Sequence, residues 1–237
     1  FRLALTFVGA DESLRLRLLE LLLHYGETAQ ASRIAAHLGM PLPEEDESRE
    51  TVNATTQGGA PASPLRPYAL PAGTIVCVAS TAEAAEAALG ALLVEVRASE
   101  TRLVGLDAEW VASRPVSLLQ IGGGSRCVLL RMHLLSPGGT IAPLHDVPSL
   151  RNLLADETII KAGVGINGDL RLLEEGFGLP SAGVVELQVL CAREGYRASG
   201  LQQIAHEVLS ERLEKPHALR CGDWEAAQLS DAQRDYA

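Results

Sequence analysis

The chain has 237 residues, of which 47% are apolar and 21% charged, and its formal net charge is −10. This composition predicts a packed core rather than wholesale disorder. The acidic balance and the 4% aromatic content argue against a protein that holds nucleic acid mainly by broad electrostatic attraction or base stacking. An enzyme that meets a polyanion through bound metal ions is compatible with this charge.

The four cysteines lie at least 30 residues apart and show no spacing typical of a zinc site or a redox motif. We expect reduced thiols in an intracellular protein. The longest apolar stretch is shorter than a membrane-spanning helix requires. The sequence opens on Phe1 without a cleavable signal pattern, so we expect an internal fragment of a longer chain.

The first 72 residues divide into two segments of different character. Leucines recur at helical spacing between residues 11 and 40, which predicts a helical segment over residues 1–42, the tail of an upstream helical region. An acidic run followed by repeated Gly, Pro and Ser predicts a flexible linker over residues 43–72.

Strand and helix patterns alternate from residue 73 onward. A strand is predicted over residues 75–79, and a helix over 81–96 with Thr81 as its N-cap. Three short apolar runs then predict an antiparallel meander, over residues 102–107, 116–121 and 127–132. The remaining pattern predicts strands over 158–162 and 184–186, and helices over 148–155, 167–175, 187–193, 201–209 and 230–236. Together these elements predict an α/β fold whose mixed β-sheet is flanked by helices.

Two acidic residues close the first strand of this meander. Asp107 and Glu109 are two positions apart, so on a strand their side chains point to the same face. Adjacent carboxylates repel each other unless a cation or a proton separates them, and Mg²⁺ and Mn²⁺ prefer such hard oxygen ligands. A second Asp-x-Glu, at Asp223 and Glu225, follows no apolar strand and is interpreted as solvated surface.

A glycine-rich turn follows the next predicted strand and leads into a helix whose first turn carries Asp169. The glycines at 163, 165 and 168 match the spacing of a dinucleotide-binding fingerprint, with Glu186 as the acidic partner. That fingerprint does not require the three strands upstream, and we therefore favour an acidic site over a dinucleotide site.

Residues 73–237 resemble the exonuclease domain of the DEDD superfamily of 3′→5′ exonucleases. The similarity is to its tyrosine-containing DEDDy group, in the branch with RNase D, the Werner-syndrome helicase exonuclease and the Nibbler-type exonucleases. The resemblance is collinear and rests on four stretches of sequence. The first three are residues 104–110, residues 117–121, and residues 161–165 with Asp169. The fourth is the C-terminal stretch, in which the matching positions are Lys215, Cys221, Trp224, residues 229–233 and residues 236–237.

The resemblance implies a ribonuclease H-like fold and a site of four acidic residues with one tyrosine. Asp107, Glu109 and Asp169 match three of the acidic positions and are expected to hold Mg²⁺ or Mn²⁺ in a two-metal site. Tyr236 matches the tyrosine of a Tyr-x-x-x-Asp motif and is expected to orient the attacking water. The fourth acidic residue falls three positions after Ala237, so we expect the 237-residue chain to be nearly inactive.

The implied reaction is hydrolysis of phosphodiester bonds in RNA or DNA from a free 3′ end, releasing nucleoside monophosphates. A weak similarity of His24 and its neighbours to the helical region of Nibbler-type proteins favours RNA over DNA. The alternative is a catalytically silent, nuclease-like module that binds nucleic acid or docks a protein.

Several residues near the motifs receive simpler interpretations. Trp110 and Trp224 are expected to pack in the core, and Glu186 is expected to be structural. Lys161, Lys215 and Arg220 are interpreted either as phosphate contacts or as solvated surface.

Overall fold

The computed structural model of the protein describes residues 66–111, 114–136, 144–196 and 200–237. The predicted helical segment over residues 1–42 and most of the predicted linker over 43–72 lie outside the described residues. The end of that linker is part of the packed structure. Strand β1 (Arg66–Pro67) pairs in parallel with β8 (Glu211–Arg212), and Tyr68 is buried.

A six-stranded mixed sheet forms the centre of the described structure. Its strands are β2 (Ile75–Ala79), β3 (Leu103–Trp110), β4 (Val116–Gly123), β5 (Arg126–Leu130), β6 (Ile160–Gly163) and β7 (Val184–Glu186), in the order β2-β5-β4-β3-β6-β7. Strands β3, β4 and β5 form the predicted antiparallel meander. Strands β2, β6 and β7 are added by parallel pairing. The predicted mixed-sheet α/β fold is therefore confirmed.

Helices cover the sheet and close the chain. They are α1 (Ala82–Ala98), α2 (Met132–Leu135), α3 (Pro148–Ala155), α4 (Ile166–Phe177), α5 (Leu187–Arg193), α6 (Leu201–Leu209), α7 (His217–Arg220) and α8 (Asp231–Tyr236). Thr81 caps α1 as predicted, because its hydroxyl oxygen accepts the amide hydrogen of Ala84 at 3.2 Å. Helix α4 continues through Gly176 and ends at Gly178, whose φ of +61° suits glycine.

The two faces of the sheet bury different cores. On one face Val104, Leu106 and Ala108 of β3 join the largest hydrophobic cluster, which includes buried residues of α1, α3 and α4. Because side chains alternate along a strand, Asp107 and Glu109 belong to the opposite face. Two smaller clusters lie on that face, one around Leu118 and Trp224 and the other around residues of α5 and α6. The acidic pair is therefore bracketed by packed apolar groups.

All four cysteines are free, with Cys127 and Cys191 buried and Cys221 exposed. Across the described ranges, no helix combines the length and the apolar character needed to cross a membrane.

Candidate active site

The first part of the candidate site is the C-terminal half of β3. There Asp107 lies opposite Gln120 of β4, and Glu109 lies opposite Leu118. The pairing register shifts between Glu109 and Trp110, so regular pairing ends directly after the acidic pair. Glu109 is 8% exposed, whereas the Asp107 side chain retains 20% exposure. The strand thus presents one buried and one accessible carboxylate on the same face.

The second part is the connection from β6 to α4, which brings in Asp169. Strand β6 runs parallel to β3, so their carboxyl ends meet at one edge of the sheet. Asp169 follows in the first turn of α4 and is only 6% exposed. The fold therefore gathers Asp107, Glu109 and Asp169, which are up to 62 positions apart in the sequence, in one neighbourhood.

The glycines of this connection serve the packing of the chain. A Cβ on Gly163 would lie 2.5 Å from the Leu106 carbonyl oxygen, so glycine allows β6 to turn close to β3. Gly165 has a φ of +73°, and its amide donates to the Glu186 carboxylate at 2.9 Å. The Glu186 carboxylate fills the turn and also caps α5, which is the structural role predicted for it. These contacts account for the two glycines without a bound dinucleotide.

Burial and mutual repulsion perturb the acidic residues strongly. Burial, and secondarily the charge of Asp107, raise the pKa of Glu109 to about 7. Burial, and then the charges of Asp107, Glu109 and Glu186, raise the pKa of Asp169 to about 8. Near neutral pH the cluster therefore has two ways to limit its repulsion: it keeps protons or it takes up cations.

Tyr236 completes the set of predicted residues and is positioned by α8. This short helix begins with a capping box between Ser230 and Gln233. The Tyr236 ring packs against the fully buried Trp224, with centroids 5.7 Å apart. Its hydroxyl is buried and interacts with the Glu109 carboxyl group. Burial first, and then the nearby charges of Glu109 and Asp107, raise the pKa of Tyr236.

Lys215 is the basic residue that pairs with a carboxylate of the site. Its Nζ lies 3.3 Å from Oδ2 of Asp107 and 5.4 Å from the centroid of the Tyr236 ring. Its positive charge lowers the pKa of both Glu109 and Asp169, against the larger raising effects. The sequence suggested a phosphate contact or a surface lysine for this position and gave no indication of a carboxylate partner. The match of Lys215 to the family pattern was the available signal that this position belongs to the site.

A groove opens beside Asp107 and Lys215. Its lining comes from the turn after β6, the start of α6 and the segment around α7, and consists of Asp107, Val164, Gly200, Leu201, Gln202, Gln203, Lys215 and Arg220. One carboxylate of the cluster is therefore accessible from the groove, next to two basic side chains.

The donor chemistry of this site fits a divalent cation. Three carboxylates supply hard oxygen ligands, and their repulsion would be relieved by positive charge. Over the described residues, however, no three Asp, Glu, His or Cys side chains are already close enough together to hold a metal ion. The residue types and their neighbourhood thus suit Mg²⁺ or Mn²⁺. Metal binding requires the three carboxylate side chains to move closer to one another.

Two of the simpler sequence interpretations are wrong. Lys161 is fully buried, and its Nζ donates to the carbonyl oxygens of Asp156 and Ile159 at 2.7 Å each, so it is neither a phosphate contact nor a surface residue. Trp110 is 43% exposed, and it is the last residue of β3, directly after the register shift. Trp224, by contrast, is buried as predicted.

Known proteins resemble this chain over more than half of its length. The human exonuclease 3′-5′ domain-containing protein 2 is 36% identical over 144 residues, which cover 57% of this chain and 22% of the human protein. The mouse bifunctional 3′-5′ exonuclease/ATP-dependent helicase WRN is 31% identical over 159 residues, covering 61% of this chain and 10% of the mouse protein. The chain thus matches less than a quarter of the length of either relative.

A solved structure and a family model also match this chain. The crystal structure of the EXD2 exonuclease domain soaked in Mg and dGMP is 32% identical, with a TM-score of 0.45, over 67% of this chain and 79% of that domain. The model of the 3′-5′ exonuclease domain family matches residues 80–237, which include all four predicted site residues. The chain belongs to the 3′-5′ exonuclease family.

Proposed function

We propose that this chain is the catalytic domain of a metal-dependent 3′→5′ exonuclease, which hydrolyses phosphodiester bonds from a free 3′ end and releases nucleoside monophosphates. The observation that carries the proposal is the meeting of Asp107, Glu109 and Asp169 at the carboxyl edge of β3 and β6. They lie near enough for Asp107 to raise the pKa of both other carboxyl groups. Membership of the 3′-5′ exonuclease family supports the class of reaction.

The three carboxylates are the residues that would hold Mg²⁺ or Mn²⁺. When bound, such ions stabilise the charge that develops on a scissile phosphate and lower the pKa of an attacking water. Asp107 is accessible from the groove, while Glu109 and Asp169 lie deeper. The buried pair must lose the protons that their raised pKa values of about 7 and about 8 retain. We therefore expect metal binding to release protons near neutral pH.

Tyr236 would act on the attacking water through its hydroxyl group. The raised pKa keeps this phenol protonated at neutral pH, so it can donate a hydrogen bond but cannot serve as the base. The hydroxyl is buried and interacts with the Glu109 carboxyl group, so it stands beside a residue that would hold the metal and its water. Packing on Trp224 would hold it in place.

We infer RNA as the preferred substrate from the resemblance of the N-terminal segment to Nibbler-type exonucleases. Discrimination from DNA depends on contacts to the 2′-hydroxyl group. The test compares shortening rates of RNA and DNA oligonucleotides of the same sequence, with 3′-blocked copies as controls. Faster shortening of the DNA strand would contradict the preference and leave the nuclease proposal intact.

The decisive experiment digests a 5′-labelled oligonucleotide with Mg²⁺ or Mn²⁺. Two versions of the chain carry three residues appended after Ala237, and they differ only in whether the third is Asp or Asn. We expect stepwise 3′ shortening by the Asp version and at least about 100-fold less by the Asn version, since outer-shell changes at metal sites already cost 10–100-fold. The variant Glu109→Gln in the Asp version should be similarly slow.

The same digestion, together with a binding assay, distinguishes the exonuclease from the alternative function. A catalytically silent module would retain the oligonucleotide in a binding assay yet leave its length unchanged in both versions. Binding without metal-dependent shortening by the Asp version, with circular dichroism showing an intact fold, would overturn the nuclease proposal.

A further inference from the structure

The ion pair between Lys215 and Asp107 lies inside the candidate site. Both side chains are largely buried, with 21% exposure for Lys215 and 20% for Asp107. The ammonium also stands over the ring of Tyr236, 5.4 Å from its centroid. Lys215 is one of only two lysines in the chain, and the other, Lys161, is fixed in the core by two carbonyl oxygens.

We propose that Lys215 is the internal counter-ion of the metal-free site, and that a divalent cation displaces its ammonium group from Asp107. This inference rests on the proposed function, since it assigns a role to Lys215 at the same carboxylates. In the metal-free site the ammonium balances the charge of Asp107, the carboxylate with which it pairs.

Competition for Asp107 is the physical basis of the exchange. The Lys215 ammonium lies within ion-pair distance of Oδ2, the Asp107 oxygen that is not bonded to the backbone amide of Ala108. A divalent cation bound to Asp107 would repel an ammonium at that distance. Full metal binding therefore requires Lys215 to withdraw.

The local structure allows this withdrawal without unfolding. Leu213 is buried, and its carbonyl oxygen accepts from the Gln202 side chain at 3.0 Å, so the backbone before Lys215 is anchored. The ammonium is carried on a four-carbon stem with free rotation. It faces the open groove that Lys215 and Arg220 both line. Rotation of one side chain is enough to clear Asp107.

The test measures Mg²⁺ affinity by calorimetry in the absence of nucleic acid, comparing the wild-type 237-residue chain with K215M, K215R and R212M. Measurements at pH 9 keep the buried carboxyl groups ionised, since the higher of their pKa values is about 8. We expect K215M to bind Mg²⁺ about fivefold more tightly. This gain corresponds to the free energy of one ion pair that metal binding no longer has to break. K215R retains the competing charge and should stay within about twofold of wild type.

R212M is the matched control. Arg212 pairs with Glu214, three positions from Lys215, and its loss changes the net charge by the same amount outside the site. We expect its Mg²⁺ affinity to equal that of wild type. A second readout is thermal melting in a chelator, in which K215M should melt below wild type and gain more from added Mg²⁺.

The outcomes distinguish a failure of the counter-ion role from a failure of the proposed function. If wild type binds Mg²⁺ and K215M shows equal or weaker affinity, the counter-ion role is wrong while the proposed function stands. If wild type and E109Q both show no Mg²⁺ binding, the metal site of the proposed function fails first. A K215R affinity as high as that of K215M would show that the positive charge is not what competes.

Discussion

Two segments of the chain carry the same Asp-x-Glu spacing and differ in almost every physical respect. Asp107 and Glu109 lie on a regular strand, where alternation places both carboxylates on one face beside Asp169. Asp223 and Glu225 lie in an irregular segment, where the Asp223 carboxylate accepts the Glu225 amide and the Glu225 carboxylate contacts Ser117 and Arg114. The first pair faces other acids, whereas the second is satisfied by donors.

The difference shows that the environment makes an acidic pair into a candidate metal site. In the first pair, burial and then the charge of Asp107 raise the pKa of Glu109, and Lys215 supplies a counter-charge to Asp107. The second pair ties the loop before α8 to β4. Its central residue, Trp224, supports the ring of Tyr236, so the second segment contributes to the site through packing. The following predictions test this division of roles.

The largest expected effect on stability is that of Trp224→Ala. Trp224 is fully buried, and its indole nitrogen donates to the Arg220 carbonyl oxygen at 3.2 Å. Removing it should lower the free energy of unfolding by about 3–5 kcal/mol, as for other buried aromatics. The control Trp110→Ala removes a 43% exposed side chain and should change it by about 0.5 kcal/mol or less. Urea denaturation measures both, and equal losses would contradict the division.

The next prediction concerns pH and the first pair. In the folded protein Glu109 and Asp169 hold protons up to about pH 7 and about pH 8, whereas in the unfolded chain such groups release them near pH 4. The folded state therefore binds more protons between these values, and the free energy of unfolding falls as pH rises through the window. In a chelator we expect a loss on the order of 3 kcal/mol between pH 5 and pH 9.

The double variant E109Q/D169N should remove this dependence. Its urea denaturation curve should be flatter with pH, and at pH 9 the variant should be more stable than wild type. Each single variant should remove only part of the slope. A wild-type stability that rises between pH 5 and pH 9 would show that the cluster is not repulsive in the absence of metal.

Most of the strands and helices could be predicted from the sequence, because they depend on residues that are close together along the chain. Strand alternation placed Asp107 and Glu109 on one face, and the Thr81 cap and the β–α alternation follow from neighbouring residues. The meeting of Asp169 with the pair was inferred through the family resemblance, since no local rule brings residues 107 and 169 together. Parallel pairing of β3 with β6 supplies that contact.

Contacts that no sequence pattern shows, with partners near or far along the chain, explain what was not predicted. Lys161 is buried because two carbonyl oxygens satisfy its ammonium, and Lys215 pairs with a carboxylate 108 positions away. Neither partner is visible in a local pattern. The roles of Asp107, Glu109, Asp169 and Tyr236 in catalysis remain predictions that the digestion experiment tests.

A third prediction uses two glycines on either side of the same turn. Gly163→Ala would place a Cβ 2.5 Å from the backbone oxygen of Leu106, so β6 must move away from β3. We expect a loss of about 2 kcal/mol in the free energy of unfolding and weaker Mg²⁺ binding, because Asp169 shifts with the strand. Gly168→Ala meets no atom within 4 Å inside α4 and should stabilise by about 0.5–1 kcal/mol. Equal effects of the two substitutions would argue against the close strand contact.

A small effect on stability is expected for Glu225→Gln, and it gives the sharpest contrast with Glu109→Gln. Glu225 loses a partly exposed ion pair with Arg114, while an amide oxygen can still accept from Ser117. The free energy of unfolding should therefore fall by about 0.5–1 kcal/mol, and the rise in melting temperature caused by Mg²⁺ should be unchanged. In Glu109→Gln the order reverses: the metal-free protein at pH 9 becomes more stable because repulsion is relieved, and the Mg²⁺ response is lost because a ligand is gone. If both variants lost the Mg²⁺ response, the two Asp-x-Glu segments would share one function, contrary to the environments that separate them.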